Sequence, residues 1–296
     1  MNQPSRAPKV SVCVITYNQE AFIGQCLQSL VDQQTDFDFE VIVGDDCSTD
    51  GTQAIVRQFA DRHPNIVRPI FQPSNTGGNG NYLAVHGAAF GEYIAHMDGD
   101  DYALPGKLQA QADLLDQNPA CNVVWHAVDM LEPSGTVRPS RQVRHGRSRL
   151  WFTKADQINY LVIAAHSSKM YRASVREFVA PTSGFTDFFL TVAQLEGGGG
   201  ALLCDRAYGV CRLGIGLSSS GFSTRRVMLS SLQHILSTEP RYRDEVAAAT
   251  LHLLLSDVKR RAPTLGQSLR LFLSSVSVGA IALYLRSYRQ RTHLKF

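Results

Sequence analysis

The 296-residue chain lacks every device of a small secreted or metal-stapled domain. Its six cysteines (Cys13, Cys26, Cys47, Cys121, Cys204, Cys211) form no CxxC pair and no zinc-type spacing. Three sit in apolar or strand-like settings, so buried thiols of a reducing compartment are expected rather than a disulfide framework. The start, MNQPSRAPKVSV, has no apolar stretch of the secretory type. A bilayer span needs about 20 apolar residues; the longest apolar-leaning run, Leu271 to Leu285, has 15, three of them serine. The expectation is a cytoplasmic protein without a spanning helix. At 44% hydrophobic and 19% charged residues, a disordered chain and an integral membrane protein are both excluded. The last absence is local: from Val258 to Phe296 there is no Asp or Glu, but eight Lys or Arg. The net charge of +3 therefore joins an acidic body, −5 over residues 1–257, to a basic tail.

What is present is an alternation. Val10–Ile15 is a short β-branched apolar run, as a buried parallel strand requires. Phe22, Ile23, Cys26, Leu27, Leu30 and Val31 then recur at helical spacing. Phe39–Val43 predicts a second strand, Thr52–Ala60 a helix and Ile66–Phe71 a third strand. The Gly/Asn-rich SNTGGNGN leads into a helix through Leu83–Phe90, and Glu92–Met97 predicts a fourth strand. Polar clusters TYN, GDD and DGDD close the first, second and fourth strands. Such a pattern indicates a doubly wound α/β sheet, whose ligands bind at the strands' carboxyl ends. Farther on, Val123–Val128, Ser167–Tyr171, Ala201–Leu203 and Tyr208–Arg212 predict strands; Thr153–Ala164 and Asp187–Leu195 predict helices. From Arg225 the pattern is helical to the end, broken at Pro240 and Pro263. The expected division is residues 1–222, with a first half at about 9–125 and a second at 126–222, followed by a helical extension over 223–296.

The clusters carry the chemistry. Asp98, Asp100 and Asp101 crowd three carboxylates into four positions, and a counter-cation is the natural reason to gather them. Oxygen-only donors suit Mg²⁺ or Mn²⁺, and Gly99 would let a ligand approach the backbone. The plainer reading of such a cluster is a solvated turn. In GDDCSTDGT, Asp45 or Asp46 could accept hydrogen bonds from a base or ribose, while Ser48, Thr49 and Asp50 read as helix caps.

In order and spacing, VSVCVITYNQEAFIGQCLQSLVDQ, FEVIVGDDCSTDGT, NTGGNGN and GEYIAHMDGDD resemble a family 2 glycosyltransferase of the GT-A fold, over residues 9–125 and more weakly over 160–220. The resemblance implies that Thr16, Tyr17, Glu20 and Asp46 hold the nucleotide of a nucleotide-diphosphate sugar. It makes Asp98 and Asp100 the DxD pair that binds Mn²⁺ or Mg²⁺, Asp98 also meeting ribose or sugar, with Asp101 behind them. SGFTDFFLTVAQLEGGGG places Asp187 as the base that deprotonates the acceptor hydroxyl; the plainer reading is a helix cap, a job Thr186 could do instead. Two departures stand out. Leu213-Gly214 follow Cys211-Arg212 where many relatives have a metal-binding His, which leaves Arg212 as a candidate phosphate partner, and Gly80 precedes Asn81 where an Arg is common.

The function so implied is an inverting, metal-dependent transferase of the bacterial cell-surface glycan type, acting on a glycan or lipid-linked glycan acceptor. The alternatives are a non-catalytic nucleotide-sugar-binding subunit, or a nucleotidyltransferase, which would want a basic loop where TYNQEA has none. His86, His96 and His126 read as packed histidines, and His166-Ser167 as a candidate acceptor-side segment. The arginine-rich loop Arg138–Arg149 reads as solvated, or as a contact for an anionic acceptor. In the tail, Leu269, Leu271, Phe272, Val276, Ala280, Leu283 and Tyr284 can share one helical face flanked by Arg270, Arg286, Arg289 and Arg291. That face would either lie on the inner membrane surface or pack on the body. No aromatic interleaving suggests nucleic acid.

Overall fold

The computed structural model describes residues 7–145, 148–179, 184–214 and 222–293. The elements are β1 (Val10–Thr16), α1 (Ile23–Val31), β2 (Phe39–Asp45), α2 (Thr52–Arg62), β3 (Val67–Phe71), α3 (Gly77–Gly87), β4 (Tyr93–Asp98), β5 (Tyr102–Ala103), α4 (Lys107–Gln117), β6 (Cys121–Leu131), β7 (Val137–Arg138), β8 (Arg149–Phe152), α5 (Lys154–Tyr160), β9 (Met170–Arg172), α6 (Asp187–Gln194), β10 (Gly199–Arg212), α7 (Phe222–Thr238), α8 (Arg243–Arg260), α9 (Leu265–Ser275) and α10 (Val278–His293).

By packing, the chain forms two units. The first comprises Met1–Leu150, Ala164–Glu177 and Gly200–Gly214; the second comprises Trp151–Ile163, Phe178–Gly199 and Ile215–Phe296. The division thus falls inside the expected 1–222 segment: α5 packs with α6 and α8, and α6 with α7.

The first unit is a mixed sheet of order β3-β2-β1-β4-β9-β6-β10-β5. β1 is flanked in parallel by β2 and β4, which leaves it no open edge, and α1 and α3 cover its two faces. Val10, Val12, Cys13 and Val14 are accordingly fully buried, and β1 shows no polar alternation. α1 lays Ile23, Cys26, Leu27 and Leu30 into the core. The register pairs Thr16 with Asp45 and Ile15 with Asp98, so the ends of three parallel strands share one edge. β9 runs antiparallel to both β4 and β6.

Several expectations need correction. α3 starts at Gly77, six residues before Leu83, inside the glycine run. Its entry is held by Asp46, whose Oδ1 accepts the Thr76 N–H and hydroxyl, each at 2.7 Å. The helix then packs so closely on β2 that a Cβ on Gly44 would lie 2.1 Å from Val85. Ser167–Tyr171 is not one strand: His166–Ser168 is a 3-10 turn, and the strand is Met170–Arg172. The two short strands at Ala201–Leu203 and Tyr208–Arg212 are one 14-residue strand. α5 ends at Tyr160, where Leu161 takes a positive φ of 69°. α4 went unanticipated in the sequence reading.

In the second unit, α8 packs against α5, α7, α9 and α10. Buried Asp257 receives Arg225 at 2.8 Å and the Thr264 hydroxyl at 2.9 Å. Lys154 bridges Glu239 at 2.7 Å and also meets Glu196. The single tail face does not form, because α9 and α10 meet at a bend of 119°. Ser277, in the two-residue break, donates to Asp244 Oδ1 at 2.6 Å and accepts the Ala280 N–H, which starts a new helix in a new direction. Among the described residues no single helix is long and apolar enough to cross a membrane. Arg147 of the basic loop, residues 181–183 of PTSGFT and Lys295 lie outside the described residues, as do the side chains of Arg144, Arg289 and Arg291. Arg138 of that loop pairs with Glu132 at 2.5 Å.

Candidate active site

The shared strand edge gathers most of the expected residues, all within the first unit. Thr16, nearly buried at the end of β1, donates its hydroxyl to Gln19 Oε1 at 2.8 Å. Tyr17 beside it is 46% exposed, open to a ligand. Glu20 Oε2 accepts the Gly51 N–H at 2.6 Å, and Asp50 accepts the N–H groups of Glu20 and Thr52. Glu20 and Asp50 therefore fasten the first loop to the start of α2, which satisfies donors a helix otherwise leaves unpaired. Asp46 holds Thr76, as above. Asp45 is fully buried; its Oδ2 accepts the Ser48 N–H and Gln53 Nε2, while its Oδ1 has no hydrogen-bond partner.

The DGDD turn is built from three directions. Gly99 is needed for a reason other than ligand approach: a Cβ there would lie 2.6 Å from Gln19 Oε1 and 2.9 Å from Thr16. Asp101 Oδ1 accepts the Arg212 N–H at 2.9 Å, and its Oδ2 lies 2.5 Å from the Ser167 hydroxyl. That ties the turn to β10 and to the 3-10 turn before β9. Arg212 donates from Nε to the Asp100 carbonyl at 2.6 Å, reaches Gln25, and lies over Phe22 and Tyr102. Its guanidinium grips the turn from outside. Asp187 lies in the second unit at the first position of α6, where its Oδ1 accepts the Phe188 N–H at 2.8 Å. Thr186 makes no capping bond, so the cap reading falls on Asp187 itself.

Burial pushes all three carboxyls of the turn upward. Asp100 rises to about 7, from burial first and then from the charges of Asp101 and Asp98. Two buried lysines that the sequence reading missed lie in the same region. Lys107 Nζ donates to the Ser167 carbonyl at 2.5 Å, and burial lowers its ammonium to about 8. Lys107 and Lys169 both contribute charges that favour ionised Asp98. Two ammonium groups do not offset three carboxylates. Oxygen donors and crowded charge would suit a divalent cation, and Asp98 and Asp100 are the residues that would hold it.

Behind Asp98 runs a buried chain of rings. Tyr171 Oη lies 2.7 Å from His86 Nδ1, His86 Nε2 lies 3.0 Å from His96 Nδ1, and His96 Nε2 lies 3.1 Å from Asp98 Oδ1. Burial holds His86 and His96 well below the usual histidine range, so both are neutral. With Asp98 ionised, its carboxylate only accepts, so His96 donates from Nε2 and accepts at Nδ1. His86 then donates from Nε2 and accepts at Nδ1, which leaves Tyr171 to donate. Hydrogen-bond logic thus assigns one direction and one tautomer along the whole chain. His96, Asp98 and His166 also bring ligand atoms within 4.8 Å of one another. The two imidazoles, however, stack at 3.6 Å and 28°, so their in-plane lone pairs do not converge on one ion. His126 is buried with Nδ1 3.0 Å from the Ala127 carbonyl, a packed histidine as expected.

Comparison with known proteins bears on the family and the fold. The family described as "Glycosyl transferase family 2" matches residues 11–177. An uncharacterized protein of Mycobacterium tuberculosis is 41% identical over 127 residues, 43% of this chain and 37% of that protein. An uncharacterized glycosyltransferase of Nostoc sp. is 33% identical over 118 residues, 40% of this chain and 36% of its own. The poly(ribitol-phosphate) beta-N-acetylglucosaminyltransferase TarS of Staphylococcus aureus is 39% identical over 114 residues, 37% of this chain and 19% of that protein. The match thus spans little more than a third of these relatives, or less. In three dimensions, TarS 1–349 in complex with UDP-GlcNAc superposes with a TM-score of 0.68 at 23% identity, covering 95% of this chain and 92% of that one. The mannosyltransferase PcManGT of Pyrobaculum calidifontis, in complex with GDP-Man and Mn²⁺, gives 0.60 at 20% identity, covering 98% and 86%. The fold is GT-A. With the family matched over more than half of its length, this chain belongs to glycosyl transferase family 2.

Proposed function

We propose that the protein transfers a sugar from a nucleotide-diphosphate sugar, a UDP-sugar by preference, to a hydroxyl of a glycan or lipid-linked glycan. The reaction inverts the anomeric centre, uses Mn²⁺ or Mg²⁺, and serves surface polysaccharide synthesis from the cytoplasm. One observation carries this reading: Asp98 and Asp100 stand at the carboxyl edge of β4, level with Thr16 and Asp45, where an α/β sheet binds its ligand. The UDP-GlcNAc complex of TarS supports the donor class, and six free cysteines suit a reducing cytoplasm.

Thr16, Tyr17 and Asp46 border the nucleotide, with the buried Asp45 below them. Asp98 and Asp100 would hold the cation, which as a Lewis acid stabilises the charge developing on the leaving diphosphate. Asp187 takes the proton of the acceptor hydroxyl as its oxygen bonds to the anomeric carbon. In the same displacement the anomeric C–O bond to phosphate breaks and the nucleoside diphosphate departs. Arg212 and Asp101 keep the DGDD turn in place.

The direct test is nucleoside diphosphate release from a panel of UDP- and GDP-sugars, with and without Mn²⁺. Transfer requires donor-specific release that depends on Mn²⁺. Binding with no release would indicate a non-catalytic sugar-nucleotide subunit, and pyrophosphate-linked chemistry a nucleotidyltransferase.

The ring chain predicts a positioning effect on Asp98. His96→Ala should lower kcat/KM by about 10- to 100-fold, the usual cost of losing a partner behind a metal ligand, and raise the Mn²⁺ concentration needed for half activity. Tyr171→Phe should move the Mn²⁺ requirement the same way by less. Unchanged Mn²⁺ titrations in both variants would reduce the chain to packing.

A further inference from the structure

The last two helices carry two apolar faces where docking on their own unit requires one. On α10, Ala280, Tyr284 and Ser287 are buried at positions i, i+4 and i+7, on the side that packs with α8. Val278, Ile281, Leu285 and Tyr288, at i, i+3, i+7 and i+10, form a second stripe whose members are 45% to 86% exposed. α9 repeats the arrangement: Ser268, Leu271 and Ser275 are buried, while Leu269 and Leu273 are exposed one turn apart. Arg270 and Arg286 are exposed within the same helices, and neither helix contains an acidic residue.

We propose that the exposed stripes of α9 and α10 are docking surfaces for an anionic lipid bilayer. The apolar stripes would enter the boundary between headgroups and acyl chains, while the arginines meet lipid phosphates. Charge decides against a second copy as occupant. An isologous dimer sets a patch against itself, and this patch has charge of one sign only, so its arginines would face each other. A lipid surface instead supplies the missing negative charge. Tyr288, half exposed near the C-terminal end, has the apolar ring and polar tip that favour the headgroup level. The surface lies along the membrane rather than through it. The 16 residues of α10 extend roughly 24 Å, short of the about 30 Å hydrocarbon core, and the bend turns α9 away.

The test is co-sedimentation of the full chain with phosphatidylcholine vesicles, with and without phosphatidylglycerol. Binding should need phosphatidylglycerol and weaken as salt rises. Leu285→Glu and Ile281→Glu should each reduce the bound fraction about tenfold or more, and the pair Arg270→Gln with Arg286→Gln should remove the lipid preference. Nucleotide-sugar turnover in detergent-free buffer should stay at the wild-type level in all of them, so the result is independent of the proposed transferase reaction. Equal binding to both vesicle types, or wild-type binding by Leu285→Glu, would overturn the proposal. So would a wild-type dimer that ignores vesicles and is made monomeric by Leu285→Glu, since the stripe would then belong to a second copy.

Discussion

Asp100→Asn is expected to abolish Mn²⁺-dependent turnover, by about 10²- to 10³-fold or more, while making the metal-free protein more stable. The loss would follow from removing the proposed charged ligand where leaving-group charge develops. The gain follows from the same burial that raises the Asp100 carboxyl to about 7. A folded-state pKa above the unfolded value means that the folded protein holds this proton more tightly. Wild-type stability in chelator should therefore fall as pH rises from about 4 through 7. The amide carries no charge to bury, so the variant's melting temperature should depend less on pH and exceed the wild type's at pH 8. Added Mn²⁺ should raise the wild-type melting temperature and leave the variant's unchanged, because only binding to the native state stabilises it. Activity with chelator at the wild-type level, or an equal Mn²⁺ shift in the variant, would remove Asp100 from the metal site.

Asp187→Asn should lower kcat by about 10²- to 10⁴-fold, the range for loss of a general base, with the KM for donor little changed. The substitution separates two roles. Asparagine Oδ1 can still accept the Phe188 N–H, so a residue serving only as the cap of α6 would tolerate it. Asp187→Ala, in contrast, removes the cap as well and should cost about 1 kcal/mol of stability. A base predicts two variants equally inactive but different in melting temperature. A cap predicts that Asn is active and only Ala is unstable. Full turnover in Asp187→Asn would move the base elsewhere.

What could be read in advance follows from which interactions are local. β1, β2 and β4 were legible because strands buried on both faces are nearly unbroken apolar runs. Their polar ends, at Thr16, Asp45 and Asp98, marked the ligand edge before any register was known. The start of α3 was not legible: four residues of poor helix propensity, Gly77–Gly80, are helical because Asp46, 30 positions earlier, holds Thr76. Nor was the bend before α10, where no proline stands; a side chain from α8 sets it through Ser277. Glu20 shows the same limit. The resemblance implied a place at the nucleotide, and the structure shows its Oε2 accepting the Gly51 N–H, which fastens the first loop to the start of α2.

The amino-acid sequence alone determined the class of this protein: the alternating strands, the carboxylate cluster at a strand end, the basic tail and its lack of acid. These rest on composition and on spacing within a few residues, and they survive in any reading of the chain. Only the tertiary structure decided how the carboxylates are held. Tyr171, His86 and His96 come from three separate elements, and no spacing in the chain announces that they line up behind Asp98. The tail divides in the same way. Its charge was plain from the residues, but which apolar side chains are buried on α8 and which stay exposed depended on a bend made by a distant partner. Packing sorts faces, and a linear pattern with more than one apolar stripe does not say which of them the protein keeps for itself.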